Sequence, residues 1–184
     1  MAWAPSHIVR VFEATPGEVG FALGISVMVG GFAGVIVAAL SITRLLRLYG
    51  SLAPRHLFQY AMLLTIFPGL LQLLAASAMQ SYVLYGVQLM FANLGFALSS
   101  TMIQDVSPAK YRGRMFGISI LLIAAISSSG PFVVGLISDQ FVTDPKGLLW
   151  AMLLVVVPAL ILSALCVNLT NAKYRMTVER LAIN

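Results

Sequence analysis

Charge is scarce in this chain: Asp, Glu, Lys and Arg make up 9 % of its 184 residues, where a soluble domain carries roughly a quarter. With 60 % of residues hydrophobic, that deficit excludes an ordinary water-soluble domain. Cysteine is nearly missing as well. Cys166 stands alone, which rules out an internal disulfide and a thiolate metal cluster. Histidine is confined to His7 and His56. In the membrane layout that the charges impose they fall on opposite faces, too far apart to share a metal or a triad. Met1 is not followed by a basic stretch and an apolar core, so a cleavable signal peptide is not expected.

The few charges divide the chain. Between them lie four neutral stretches, Val19–Thr43, His56–Gln104, Met115–Ser138 and Gly147–Ala172, of 25, 49, 24 and 26 residues. A bilayer core roughly 30 Å thick needs about 20 apolar residues as a helix, so the second stretch accommodates two spans. The expectation is a single all-α membrane domain of five spans, at about 19–43, 57–78, 82–104, 115–138 and 148–167. Residues 1–18 are then an outer tail or the remnant of a preceding helix ending at Trp3–Phe12. Residues 173–184 form a tail on the other side.

The connectors give the orientation. Arg44, Arg47, Arg55, Lys110, Arg112, Arg114, Lys173, Arg175 and Arg180 share one face, nine of the eleven basic residues, and leave Arg10 and Lys146 to the other. The face rich in Lys and Arg is expected to be cytoplasmic, with the N-terminus outside, most simply in a plasma (inner) membrane. The net charge of +5 and pI near 9.7 are explained by these clusters at span ends. They do not form the continuous footprint of a nucleic-acid-binding protein, so the expected surroundings are membrane lipid and no nucleic acid.

Within the first span Gly20, Gly24, Gly31, Gly34 and Ala38 recur at helical spacing and should form one face for close helix packing. Pro68, Pro131 and Pro158 fall inside later spans, where kinks are tolerated if neighbours satisfy the freed backbone groups. No catalytic constellation is present. Asp105 and Asp139 sit at opposite membrane surfaces, and no base lies near Ser99, Ser100 or Ser127–Ser129. An enzyme is not expected, nor is any cofactor or metal. The densest group of functional side chains is Asp105 to Gly117, in which Asp105 could accept from Arg112 or Arg114 and staple two span ends together.

That connector and the span after it carry a family pattern. Asp105, Pro108, Arg112-Gly113, Gly117, Gly130-Pro131, Gly135 and Ser138-Asp139 resemble the tenth-to-eleventh helix region of major facilitator superfamily transporters. The opening Trp3-x-Pro5, Arg10, Phe12 and Glu18-Val19-Gly20 is similar to the end of the seventh helix in spinster-like and hexuronate-like members. Gly31 to Arg47 resembles the eighth helix with its basic exit. Two departures stand out. Thr43-Arg44 replaces the family's Asp-Arg step, and Ile126 and Val134 replace glycines of the antiporter signature, so antiport is not inferred.

The resemblance implies an incomplete C-terminal half of the superfamily fold, from a secondary transporter that moves a small organic solute by alternating access. On that reading Asn93, Gln88, Ser26 and Ser128 are candidates for the substrate cavity. Asp105, Arg112, Arg114 and Arg44 are candidates for a cytoplasmic gate. Gly20, Gly24, Gly31, Gly34, Gly130, Pro131 and Gly135 serve packing or hinges. The expected partners are the small-molecule substrate and a missing N-terminal half or partner subunit, without which the segment is expected to be inactive. The competing readings are a half-size transporter that pairs with a partner, and a non-transporting interaction protein that uses its glycine face. No span holds an ionisable residue at mid-depth, where such residues mark ion pathways. Either any coupling carboxylate is therefore expected in the missing half, or the parent is not proton-driven.

Overall fold

The computed structural model describes residues 4–141 and 147–183, and all regular structure among them is helical. Among these residues seven α-helices come in order: α1 (Ala4–Phe12), α2 (Pro16–Tyr49), α3 (Ala53–Leu71), α4 (Ala78–Asp105), α5 (Arg112–Ser138), α6 (Gly147–Leu169) and α7 (Asn171–Ile183). Trp3, Asp144 and Lys146 lie outside the described residues.

Local chemistry sets the helix ends. Thr15 caps α2 in a reciprocal box: its hydroxyl accepts from the Glu18 N–H at 3.4 Å and the Glu18 carboxylate accepts from the Thr15 N–H at 3.3 Å. Pro16 occupies the first turn, where a missing N–H costs nothing. At the far end Gly50 takes a positive φ of 57°, a conformation that glycine adopts without the Cβ clash. At 34 residues α2 is about 51 Å long, well beyond the roughly 30 Å hydrocarbon core. The helix is therefore longer than one upright crossing requires.

The second reversal comes earlier than the neutral stretch suggested. α3 ends at Leu71, three residues after Pro68, and a 3-10 turn carries the chain to Leu74. Ser77 then caps α4 by accepting from the Gln80 N–H. The chain thus turns back at 75–77, where the sequence placed the turn at Met79–Ser81 and the end of the second span at 78. Side-chain capping by Ser77, invisible to a count of apolar residues, fixes the site.

Helix directions follow from the contacts. Ser26, Gly30 and Gly34 of α2 meet Tyr82, Gly86 and Met90 of α4 in the same order, so these two helices run parallel. α3 runs against α4, with Gln72 opposite Gln88 and Met62 opposite Gly95. α6 runs against α3, with Arg55 and Gln59 near Val167 and Ala164 while Gly69 meets Leu153. α5 packs chiefly on α6 and touches α4.

Three small cores hold this arrangement. Ala4, Ile8, Val19, Leu23, Tyr85 and Leu89 join α1 to α2 and α4. Ala38, Ala61, Leu94 and Leu98 join α2, α3 and α4. Val134, Leu148 and Ala151 join α5 to α6. Residues 4–12 are therefore a helix docked on the bundle. Large apolar side chains such as Phe21, Phe32, Leu121 and Ile126 point outward, each at least 70 % exposed, which suits lipid as solvent and not water.

Among the described residues, four helical segments are long and apolar enough to cross a membrane: Pro16–Leu71, Ala78–Asp105, Ala109–Ser138 and Gly147–Leu169. The first, 56 residues long, contains the antiparallel pair α2 and α3. The chain is an all-α integral membrane protein.

Candidate functional site

The tightest packing lies along α2 and α4. A methyl group at Gly30 would collide with the Gly86 carbonyl, and one at Gly34 would collide with the Met90 carbonyl while sitting 3.0 Å from the Asn93 Cβ. Ser26 extends the same line, its hydroxyl lying 3.0 Å from the carbonyl oxygens of Ala22 and Tyr82. The close-approach face is therefore Ser26, Gly30, Gly34 and Ala38, at spacings of four. Of the expected glycine face only Gly34 and Ala38 belong to it. At Gly20, Gly24 and Gly31 a methyl group would meet no neighbouring atom within 4 Å, and the same holds for Gly130. Gly135 offers its carbonyl to the Asp139 N–H, and Pro131 lies within α5.

The four cavity candidates do not converge. Ser26 and Asn93 flank the α2–α4 line, where Asn93 donates to the Leu89 carbonyl at 2.9 Å. Gln88 faces the other way. It accepts from Gln72, in the 3-10 turn after α3, at 3.0 Å, beside a cavity of about 20 Å³ that Leu149, Met152 and Leu153 of α6 help to line. Ser128 is exposed on α5 and donates to its own helix at the Ala125 carbonyl, 2.8 Å away. A larger apolar groove of about 430 Å³ follows α2 and α4, lined by Phe21, Ile25, Val29, Val83 and Val87, and Ser26 opens onto it.

At the basic end of the bundle the arrangement differs from the expected staple. Asp105 is not joined to Arg112 or Arg114. Its carboxylate accepts from the Tyr174 hydroxyl of α7 at 3.1 Å. The Arg112 guanidinium turns back to the Ser107 carbonyl at 3.3 Å, because Pro108 and the 3-10 turn after it wind the connector tightly. Arg114 and Arg44 are exposed. Burial pushes the Tyr174 phenol above its ordinary value, the neighbouring Asp105 charge and hydrogen bond push it further, and the Arg55 charge opposes them.

Arg55 is the residue that sequence reasoning missed. It is 2 % exposed, although an Arg is almost never fully buried unless its donors are met. Its Nε donates to the Val167 carbonyl at 3.3 Å and its Nη2 to Asn168 Oδ1 at 3.1 Å. It thereby caps the C-terminus of α6, where carbonyl groups lack intrahelical partners and the helix dipole favours a cation. The usable signal was the Pro54-Arg55-His56 step, a charge at the very start of a span with Asn168 at the end of another.

These features sit in a chain with a distant relative. Over 187 aligned residues it is 27 % identical to an MFS-type efflux pump of Mycolicibacterium smegmatis, covering 96 % of this chain and 41 % of that protein. The similarity is to a transporter. It is partial, since the chain spans about two fifths of the length of the curated relative it matches. No family model and no solved structure matches. The aligned share agrees with a helix bundle that matches part of that pump.

Proposed function

We propose that this chain is the C-terminal portion of a secondary transporter, crossing the membrane five times, and that it moves a small organic solute only together with a complementary helix bundle. The observation that carries the reading is the similarity over nearly the whole chain to part of an MFS-type efflux pump. The solute class is an organic anion or amphiphile, and outward movement is the direction suggested by that relative's name.

The packing supports a need for a complementary bundle. Only 6 % of the most apolar stretch of Ala109–Ser138 is buried, against 22 % to 28 % in the other three segments. α5 thus leaves nearly all its surface, including Ser128 and Gly130, for something outside this chain. Asn93 is the first substrate contact in this reading: its amide NH2 is engaged by Leu89, which leaves its oxygen for a solute. Asp105, Arg112, Arg114 and Arg44 remain the gate residues, facing the cytoplasm.

A chimera tests this directly. The matched segment of the Mycolicibacterium smegmatis pump is replaced by this chain, and efflux of a fluorescent amphiphile is followed in cells. Restored efflux that Arg112→Ala slows without reducing insertion supports the reading. A chimera that inserts normally and moves nothing, while the unaltered pump works, overturns it.

A further inference from the structure

The tail helix α7 is held to the bundle in a way that membrane topology does not require. It continues from α6 through a single bend at Thr170, whose N–H donates to the Cys166 carbonyl at 3.1 Å and whose own carbonyl accepts from the Tyr174 N–H at 2.9 Å. The stem of that bend is fixed by buried Arg55, which grips Val167 and Asn168 from α3. Beyond it α7 rests against the turn at Gly50–Leu52. Lys173, Arg175 and Met176 are exposed, while Tyr174 alone among them turns inward and is buried.

Tyr174 reaches Asp105, the last residue of α4. Directly after Asp105 comes the wound connector: the Val106 and Ser107 N–H groups bond back to Met102 and Gln104, and Arg112 bonds back to Ser107. One hydrogen bond to a carboxylate therefore joins the tail helix, whose stem is held by Arg55, to the root of the basic connector. Such a bond favours the closed form on the order of ten-fold. That is enough to keep the helix docked most of the time and little enough for it to let go.

We propose that α7 is a strap: docked through Tyr174 it holds the basic end of α4, and the connector from Val106 to Arg114 loosens when it undocks. The device does not depend on what the protein carries, so its failure leaves the transporter reading standing.

Limited trypsin digestion of the full chain in detergent micelles tests it, with cleavage in the connector (Lys110, Arg112, Arg114) followed separately from cleavage in the tail (Lys173, Arg175, Arg180). In Tyr174→Phe both sets are expected to be cut faster, by on the order of ten-fold. Asp105→Asn keeps an acceptor for the phenol and should stay between that variant and the wild type. Faster tail cleavage with an unchanged connector rate overturns the proposal, as does no change at either place. Should Tyr174→Phe lose helix content, a chain ending after Thr170 gives the same answer. Its connector is cut at the accelerated rate if α7 is the strap, and at the wild-type rate if it is not.

Discussion

Gly30 of α2 lies against the backbone of Gly86 of α4, with no room for a methyl group between them. Helices in lipid gain little from burying apolar surface against one another, so such close backbone approach is what binds them. The parallel helices α2 and α4 are held at this point, and Gly34 repeats the contact one turn further along.

Gly30→Leu is therefore expected to cost about 1–3 kcal/mol by overpacking, and Gly34→Leu a similar amount. Gly24→Ala, on a surface with nothing within 4 Å, should be neutral or stabilising by up to about 1 kcal/mol, since alanine is the better helix former. Thermal unfolding of the three variants in one detergent checks the order. Equal destabilisation at Gly24 and Gly30 would show that the α2–α4 line is not where the structure puts it.

Arg55 offers a second contrast. Removing it strips the donors from the Val167 carbonyl and Asn168, and hydrogen bonds of a charged group are worth about 1.5–3 kcal/mol. Arg55→Ala should lower stability by about that much. Arg55→Lys should recover part of it, because lysine keeps the charge and loses the fork. Arg114→Ala, at an exposed position, should stay within about 0.5 kcal/mol. A chemical-unfolding series separates these outcomes.

Gln72, in the 3-10 turn after α3, and Gln88 of α4 form a pair at 3.0 Å. Gln88→Leu leaves Gln72, which is 7 % exposed, with an unmet donor, and interhelical polar bonds in membranes run from about 0.6 to 2 kcal/mol. The double variant with leucine at both positions should lose less than the sum of the single losses, because no orphaned group remains. Strict additivity in the double-mutant cycle would mean that the pair is not formed.

Much of this architecture was readable from residues, and the misses share one cause. Neutral gaps between charges located the long helices because the bilayer requires an uncharged length of chain. The same gaps could not place the turn at 75–77, which depends on the Ser77 side chain. The glycine face was legible only in part: Gly34 and Ala38 belong to the packed line, and only the position of α4 selects Ser26 and Gly30 in place of Gly20, Gly24 and Gly31. Asp105 was expected to be able to pair with Arg112 or Arg114, but its partner is Tyr174, 69 positions away. Long-range pairing of that kind leaves no local trace, and a neutral phenol does not stand out among nine cations.

Alkaline titration should reveal the Asp105–Tyr174 bond. Burial and the Asp105 charge raise the docked Tyr174 above the ordinary value of 10.0, while an undocked phenol ionises near that value. Below it both forms are protonated and the contribution to docking is complete. Above it the undocked form gains stability, and docking weakens by about 1.4 kcal/mol per pH unit until the docked phenol also ionises. Tail cleavage should therefore be flat with pH up to about 10 and rise beyond it, and Tyr174→Phe should lose that rise relative to its own baseline.

The orientation of the bundle can be read from two amines. Lys110 in the α4–α5 connector and Lys173 in α7 are both exposed and both belong to the end that carries nine of the eleven basic residues. The excess of Lys and Arg in short connectors is retained on the cytoplasmic side during insertion. An amine reagent that cannot cross the membrane should therefore miss both lysines in intact cells and modify both in inverted vesicles. Tyr174 docking does not shield Lys173, whose side chain points away from the bundle surface. Labelling of both in intact cells would place the basic end outside, and the gate assigned to Asp105, Arg112, Arg114 and Arg44 would then face the wrong compartment for its proposed role.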